Sequence, residues 1–97
     1  MNSSEIHAPY EMHVHGGGFT MFESGDSVAL PLIQLGKATL SGASGQRISL
    51  EYTSAQVLIE GDHLAELLGH LLDGRVRTIR RGRHGDCSIK IVQIVEV

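Results

Sequence analysis

Residues 62–74 read DHLAELLGHLLDG, and their spacing decides the fold. At about 100° per residue, Leu67, Leu68, Leu71 and Leu72 fall within about 80° of Leu64. The stretch therefore carries one apolar stripe and predicts a helix over 62–73 that lies on a sheet. Asp62 is the expected N-cap, because its carboxylate can accept from the free amides of the first turn. Gly74 is the expected residue beyond the C-cap, free to turn left-handed.

Outward from the helix, both flanks read as strands. On the N-terminal side, 46–52 (QRISLEY) alternates: Ile48, Leu50 and Tyr52 point one way, and Arg47, Ser49 and Glu51 point the other. Residues 55–60 follow after Thr53-Ser54, a spacer short enough for a hairpin. SGASG at 41–45 is a turn by composition. Residues 19–23 and 28–33 read as strands, with 35–40 continuing the second after a bend at Gly36. Pro31 cannot donate to a ladder, which places its strand at an edge or a bulge. On the C-terminal side, 75–81 (RVRTIRR) is a strand, GRHGD at 82–86 a turn, and 87–97 the most β-branched segment of the chain. Its apolar residues occupy both parities, Ile89 and Ile91 but also Val92 and Ile94, so a bulge or a partner subunit is expected there. Residues 1–17 show no sustained period and are expected to form a flexible arm, hinged at Gly16 to Gly18, ahead of a single domain over 18–97.

The expected class is α+β: a small antiparallel sheet or partly open barrel, in the order β-β-β-β-α-β-β, with one amphipathic helix. With 28–40 taken as one bent strand, this order resembles the five-stranded OB barrel. The resemblance is one of topology. The 97 residues suit one domain, and with two Phe, two Tyr and no Trp the core must be built of Leu, Ile and Val. Cys87 is the only cysteine, which excludes an internal disulfide and a Cys-based zinc cluster and fits a reducing compartment. The N-terminus lacks the pattern of a signal peptide, and no apolar run reaches the ~20 residues of a membrane span. A cytoplasmic protein is expected.

The net charge of −3 is unevenly distributed. Residues 1–74 carry two basic residues against nine acids, a balance of −7, and 75–97 carry six against two, a balance of +4. Arg75, Arg77, Arg80, Arg81 and Arg83 supply most of the excess. A bulge near Thr78 would turn Val76 and Ile79 inward together and leave Arg75, Arg77 and Arg80 outward as a stripe. Guanidinium groups suit phosphate, so the stripe is a candidate site for nucleic acid or another anion. The alternative is local pairing with Glu60, Asp62, Glu66 or Asp73. A shortage of nearby aromatics speaks against single-stranded nucleic acid.

His13 and His15 share a face on a strand and, with His7, form a candidate metal set. The HxH pair is how the cupin metal signature begins, but the Gly and Glu that signature needs are not at their positions. On the helix, His63, Glu66 and His70 form a polar flank that is expected to be wet. Cys87 lies three residues from His84, yet it opens an apolar strand, where cysteine acts as a small hydrophobe. There is no G-x-S-x-G elbow and no P-loop. Nothing supports an enzyme or a cofactor. Gly69 lies mid-helix at a cost of about 1 kcal/mol relative to Ala, away from the leucines, which suggests close approach of another chain. The expected function is a non-catalytic interaction module that self-associates, with Gly69, Val92 and Ile94 as interface candidates. A protein partner is also possible, and no membrane is involved. Anion binding at 75–83 is the alternative, and metal binding through the histidines is third.

Overall fold

The computed structural model describes residues 8–15 and 17–97. The strands are β1 (Tyr10–Met12), β2 (Phe19–Ser24), β3 (Asp26–Pro31), β4 (Leu35–Ser41), β5 (Arg47–Tyr52), β6 (Ala55–Asp62), β7 (Val76–Ile79), β8 (Gly82–His84) and β9 (Cys87–Glu96). The single helix α1 (Ala65–Leu72) lies between β6 and β7. The strands form two sheets, ordered β1-β7-β2-β3 and β4-β5-β6-β9-β8, and they do not close into a barrel. All pairings are antiparallel except β2 with β7, which runs parallel.

The chain passes from one sheet to the other at Pro31. That residue ends β3 at the edge of the four-stranded sheet, and a 3-10 turn over Leu32–Gln34 leads to β4 at the edge of the five-stranded one. Both strands are edges, and for β3 the missing amide of Pro31 suits that place. The core lies between the sheets and under α1. Ile48, Leu50, Val57 and Ile59 fill it from β5 and β6, Phe22 and Ile79 from the other sheet, and Leu64, Leu67 and Leu71 from the helical segment. The Phe22 and Tyr52 rings meet edge to face, with centroids 6.0 Å apart, and so tie the two sheets together.

The helix begins later than its sequence suggests. Asp62 is the last residue of β6, not a cap, and Leu64 occupies the N-cap without a side-chain bond. The turn between them is made by His63, which adopts φ +56°, and the Leu64 amide donates to the Gly45 carbonyl at 2.9 Å. A distant carbonyl thus replaces the local cap. The C-terminus follows expectation: Gly74 has φ +72°, its amide donates to Leu71, and the Arg75 amide donates to His70. These two bonds make a Schellman motif. The five-leucine stripe narrows to Leu64, Leu67 and Leu71; Leu68 is half-buried and Leu72 is 50% exposed.

The arm also differs. Residues 10–12, expected to be loose, form β1 and pair with β7. Residues 1–7 and 16 lie outside the described residues. Among the described residues, no helix is long and apolar enough to cross a membrane.

Candidate interaction site

β9 explains its mixed pattern by a bulge. Glu60 pairs with Ile91 and Gly61 with Ile89, so Lys90 has no partner residue on β6. The extra residue shifts the parity, and Ile89 and Val92 both face the core. Beyond it, Ile91 and Val95 point outward and remain 44% and 52% exposed. β6 can approach this closely because Gly61 has no side chain: a Cβ there would stand 1.8 Å from the Ser88 carbonyl oxygen.

The two edges of β9 are covered unequally. β6 runs along its whole length, from Asp62 opposite Ser88 to Ala55 opposite Glu96. β8 covers only three residues, with Gly82, Arg83 and His84 opposite Ile89, Ser88 and Cys87. Among the described residues, no strand pairs with 90–96 on that side. The Lys90–Val92 end of the open edge borders a groove of about 840 Å³ whose walls include Glu23, Ser24, Ser27, Arg80 and Arg81. Unpaired strand backbone beside open space is a template for a further strand.

The arginines divide. β7 bulges at Arg77, since Glu11 pairs with Thr78 and Met12 with Val76. Val76 and Ile79 are buried, and Arg77 and Arg80 emerge on one side, as the sequence implied. Both then grip a single carboxylate. Arg77 and Arg80 donate to the two oxygens of Glu11, and the Arg80 Nε stands 3.5 Å from Glu23. The Arg77 bond first, then that of Arg80, holds the Glu11 carboxyl below its usual value. The expected acids are engaged elsewhere: Glu60 with Arg47, Asp62 with Lys90, and Glu66 with His70. Asp73 makes no ion pair among the described residues, and neither do Arg75, Arg81 and Arg83. There is no continuous stripe. Two arginines fasten β1 to its sheet, Arg81 lines the groove beside β9, and Arg83 lines a smaller groove beside Asp86.

The histidines do not converge. His7 lies outside the described residues. His13 donates from Nε2 to the Phe19 carbonyl at 2.8 Å and packs edge-on against the Phe19 ring, while His15 is exposed. His63 bonds through Nδ1 to the Asp86 carbonyl, away from His70. Among the described residues, no three potential ligands gather for a metal. Cys87 lines a second cleft, of about 610 Å³, with Tyr10, Glu66 and His84. Burial first, then the Glu66 charge, pushes its thiol up, so it rests protonated and is a poor nucleophile.

The interface candidates change as well. Val92 belongs to the core and is 6% exposed, and Ile94 is half-buried against it. The outward residues of β9 are Ile91, Gln93 and Val95. Gly69 faces open space, with nothing within 4 Å of a Cβ placed there. The alternating surface of β9 was available to sequence reasoning once the Lys90 bulge was located; the open edge was not, because it depends on how short β8 is. A scan against protein-family models finds no match, and searches of curated proteins and of solved structures return no relative.

Proposed function

We propose that the chain is a non-catalytic interaction module that joins another chain by strand addition at the open edge of β9. One observation carries it: residues 91–96 pair with β6 on one side and with no described strand on the other, and the near end of that edge borders a groove. Main-chain hydrogen bonds along the edge supply affinity, and Ile91 and Val95 supply apolar contact on the outer face. Burial and the Glu66 charge hold the Cys87 thiol of the second cleft protonated, which disfavours it as a nucleophile. Amide hydrogen exchange on the full chain tests the edge. In a dilute sample, the amides of 90–96 that point away from β6 exchange at nearly the rate of open peptide. Strong protection of all of them in the dilute protein would mean the edge is already covered, and strand addition fails.

A second reading, an anionic ligand in the same groove, has one observation in its favour. Arg81 lines it with Ser24 and Ser27 and has no carboxylate within ion-pair distance among the described residues, whereas Lys90 is paired with Asp62 and Glu23 with Arg80. Binding of inorganic polyphosphate that falls steeply with salt and is lost in Arg81→Ala supports it. Absence of binding at low salt removes it.

A further inference from the structure

We infer that the cleft between β1, the start of α1 and the β8–β9 turn binds a small primary amine carried on an apolar body. The site is separate from the β9 edge and does not depend on strand addition there. The cleft encloses about 610 Å³, within the range of small-molecule sites. Its lining is mostly apolar, with Pro9 and Tyr10 on the β1 side, Ala65 at the start of the helix and Cys87 at the start of β9. Tyr10 and Cys87 are half-buried, so a ring or short hydrocarbon seated against them is removed from water. The walls are tied to one another. The Arg80 amide donates to the Pro9 carbonyl at 2.9 Å and holds the β1 side to the sheet. His63 donates from Nδ1 to the Asp86 carbonyl at 3.1 Å and joins the helix side to the turn.

Charge at the rim selects the ligand. Glu66 and Asp86 both line the cleft, and no Lys or Arg does. Asp86 makes no ion pair among the described residues, and the one contact of Glu66 is with His70, at 3.9 Å. The half-buried groups are uncharged: burial first, with the Glu66 charge adding to it, holds the Tyr10 hydroxyl and the Cys87 thiol above their ordinary values. The two carboxylates therefore set the sign of the field, which draws in a cation and repels an anion. His63, also in the lining, adds an acceptor. A carbonyl can only accept, so the bond to Asp86 puts the proton on Nδ1 and leaves Nε2 of the neutral ring free to accept. An ammonium group has three donors and no acceptor, which matches two carboxylates and one imidazole nitrogen. A bare metal ion fits less well. Among the described residues no three metal ligands gather, and an ion would leave the apolar part of the cleft unused.

Titration of the full chain with phenethylamine, followed by heteronuclear NMR, tests the site. The amine is expected to shift the amides of Tyr10, Glu66 and Cys87 saturably. Phenethyl alcohol, the uncharged analogue of the same shape, is expected to bind about tenfold more weakly, because it forfeits the charge-assisted hydrogen bonds. Hydrocinnamate, an anion of similar size, is expected not to bind. Glu66→Gln and Asp86→Asn, both at exposed positions, each weaken the amine about threefold and leave the alcohol and the melting of the protein unchanged. Alcohol and amine binding equally well, or an amine affinity that neither variant changes, overturns the amine assignment. Shifts that never saturate, or that map away from the cleft, overturn the site itself. Neither result touches the exchange behaviour of the β9 edge, so failure here is distinct from failure of strand addition.

Discussion

The close approach at Gly61 makes a prediction whose size follows from the geometry. In Gly61→Ala, the new Cβ would lie 1.8 Å from the Ser88 carbonyl oxygen, 2.7 Å from its carbon and 2.9 Å from the Ile89 Cα. All three are backbone atoms, so no rotamer change relieves them. β9 must retreat by about an ångström at least, which parts Gly61 from Ile89 and Asp62 from Ser88 and disturbs Ile89 in the core. Overpacking of this kind costs about 1–3 kcal/mol. Two weakened ladder bonds add about 1 kcal/mol each. The expected loss is about 3–5 kcal/mol, a large part of the ~5–15 kcal/mol by which a domain is usually stable. Urea unfolding followed by circular dichroism measures it as a lower midpoint at unchanged slope. Gly36→Ala is the control: its Cβ meets only the Glu51 carbonyl, at 3.7 Å, and the change should stay within about 0.5 kcal/mol. A Gly61→Ala protein within about 1 kcal/mol of the wild type would refute the close crossing of β6 and β9 and, with it, the bulge that sets the faces of the open edge.

Three further outcomes follow from the same structure. Gly69→Ala fills open space on a helix and should stabilise by up to about 1 kcal/mol, raising the midpoint by about 4–8 °C in a domain of this size; a lowered midpoint would point to a neighbour at that position. Glu11→Gln removes the anchor shared by Arg77 and Arg80 and should cost about 0.5–1 kcal/mol at neutral pH, with faster amide exchange over 10–12. Because the folded Glu11 carboxyl sits below its ordinary value, its contribution is full above about pH 4.3 and is lost as pH falls through the folded value, so wild type and variant should converge in acid. Burial pushes Tyr52 up to about 12; its contribution is complete below pH ~10 and is lost as pH rises toward 12, and a phenolate absorbance titration showing both tyrosines ionising near 10 in the folded protein would contradict that burial.

The parts of the fold that were legible are those whose signal is local. Alternation in 46–52 put Ile48, Leu50 and Tyr52 in the core, and Gly74 ended the helix as its left-handed freedom suggests. The misread parts depend on distant partners. Asp62 has the chemistry of a cap, but it bonds Ser88 and Lys90 across the sheet while the Gly45 carbonyl takes the Leu64 amide. β1 is three residues long, too short to display a period, and is fixed by its pairing with β7 some 66 positions away. The arginines pair with Glu11 and Glu23, not with the acids adjacent in sequence, because β7 lies between β1 and β2. Val92 reads as an interface candidate because nothing in the sequence alone places the bulge at Lys90 and not one residue on.

The sheet edges differ in how they are protected, and the difference bears on the strand addition proposed for β9. Exposed edges invite unwanted pairing, and proteins blunt them with short strands, proline, irregularities and lysine. β1 and β8 have three residues each. β3 ends on Pro31. β4 breaks its register between Leu35 and Lys37 and then presents that lysine. Each of these edges carries one of the usual defences. The 90–96 edge keeps its lysine and its irregularity together at Lys90, and from Ile91 to Val95 it carries no proline and no charge and is mostly β-branched.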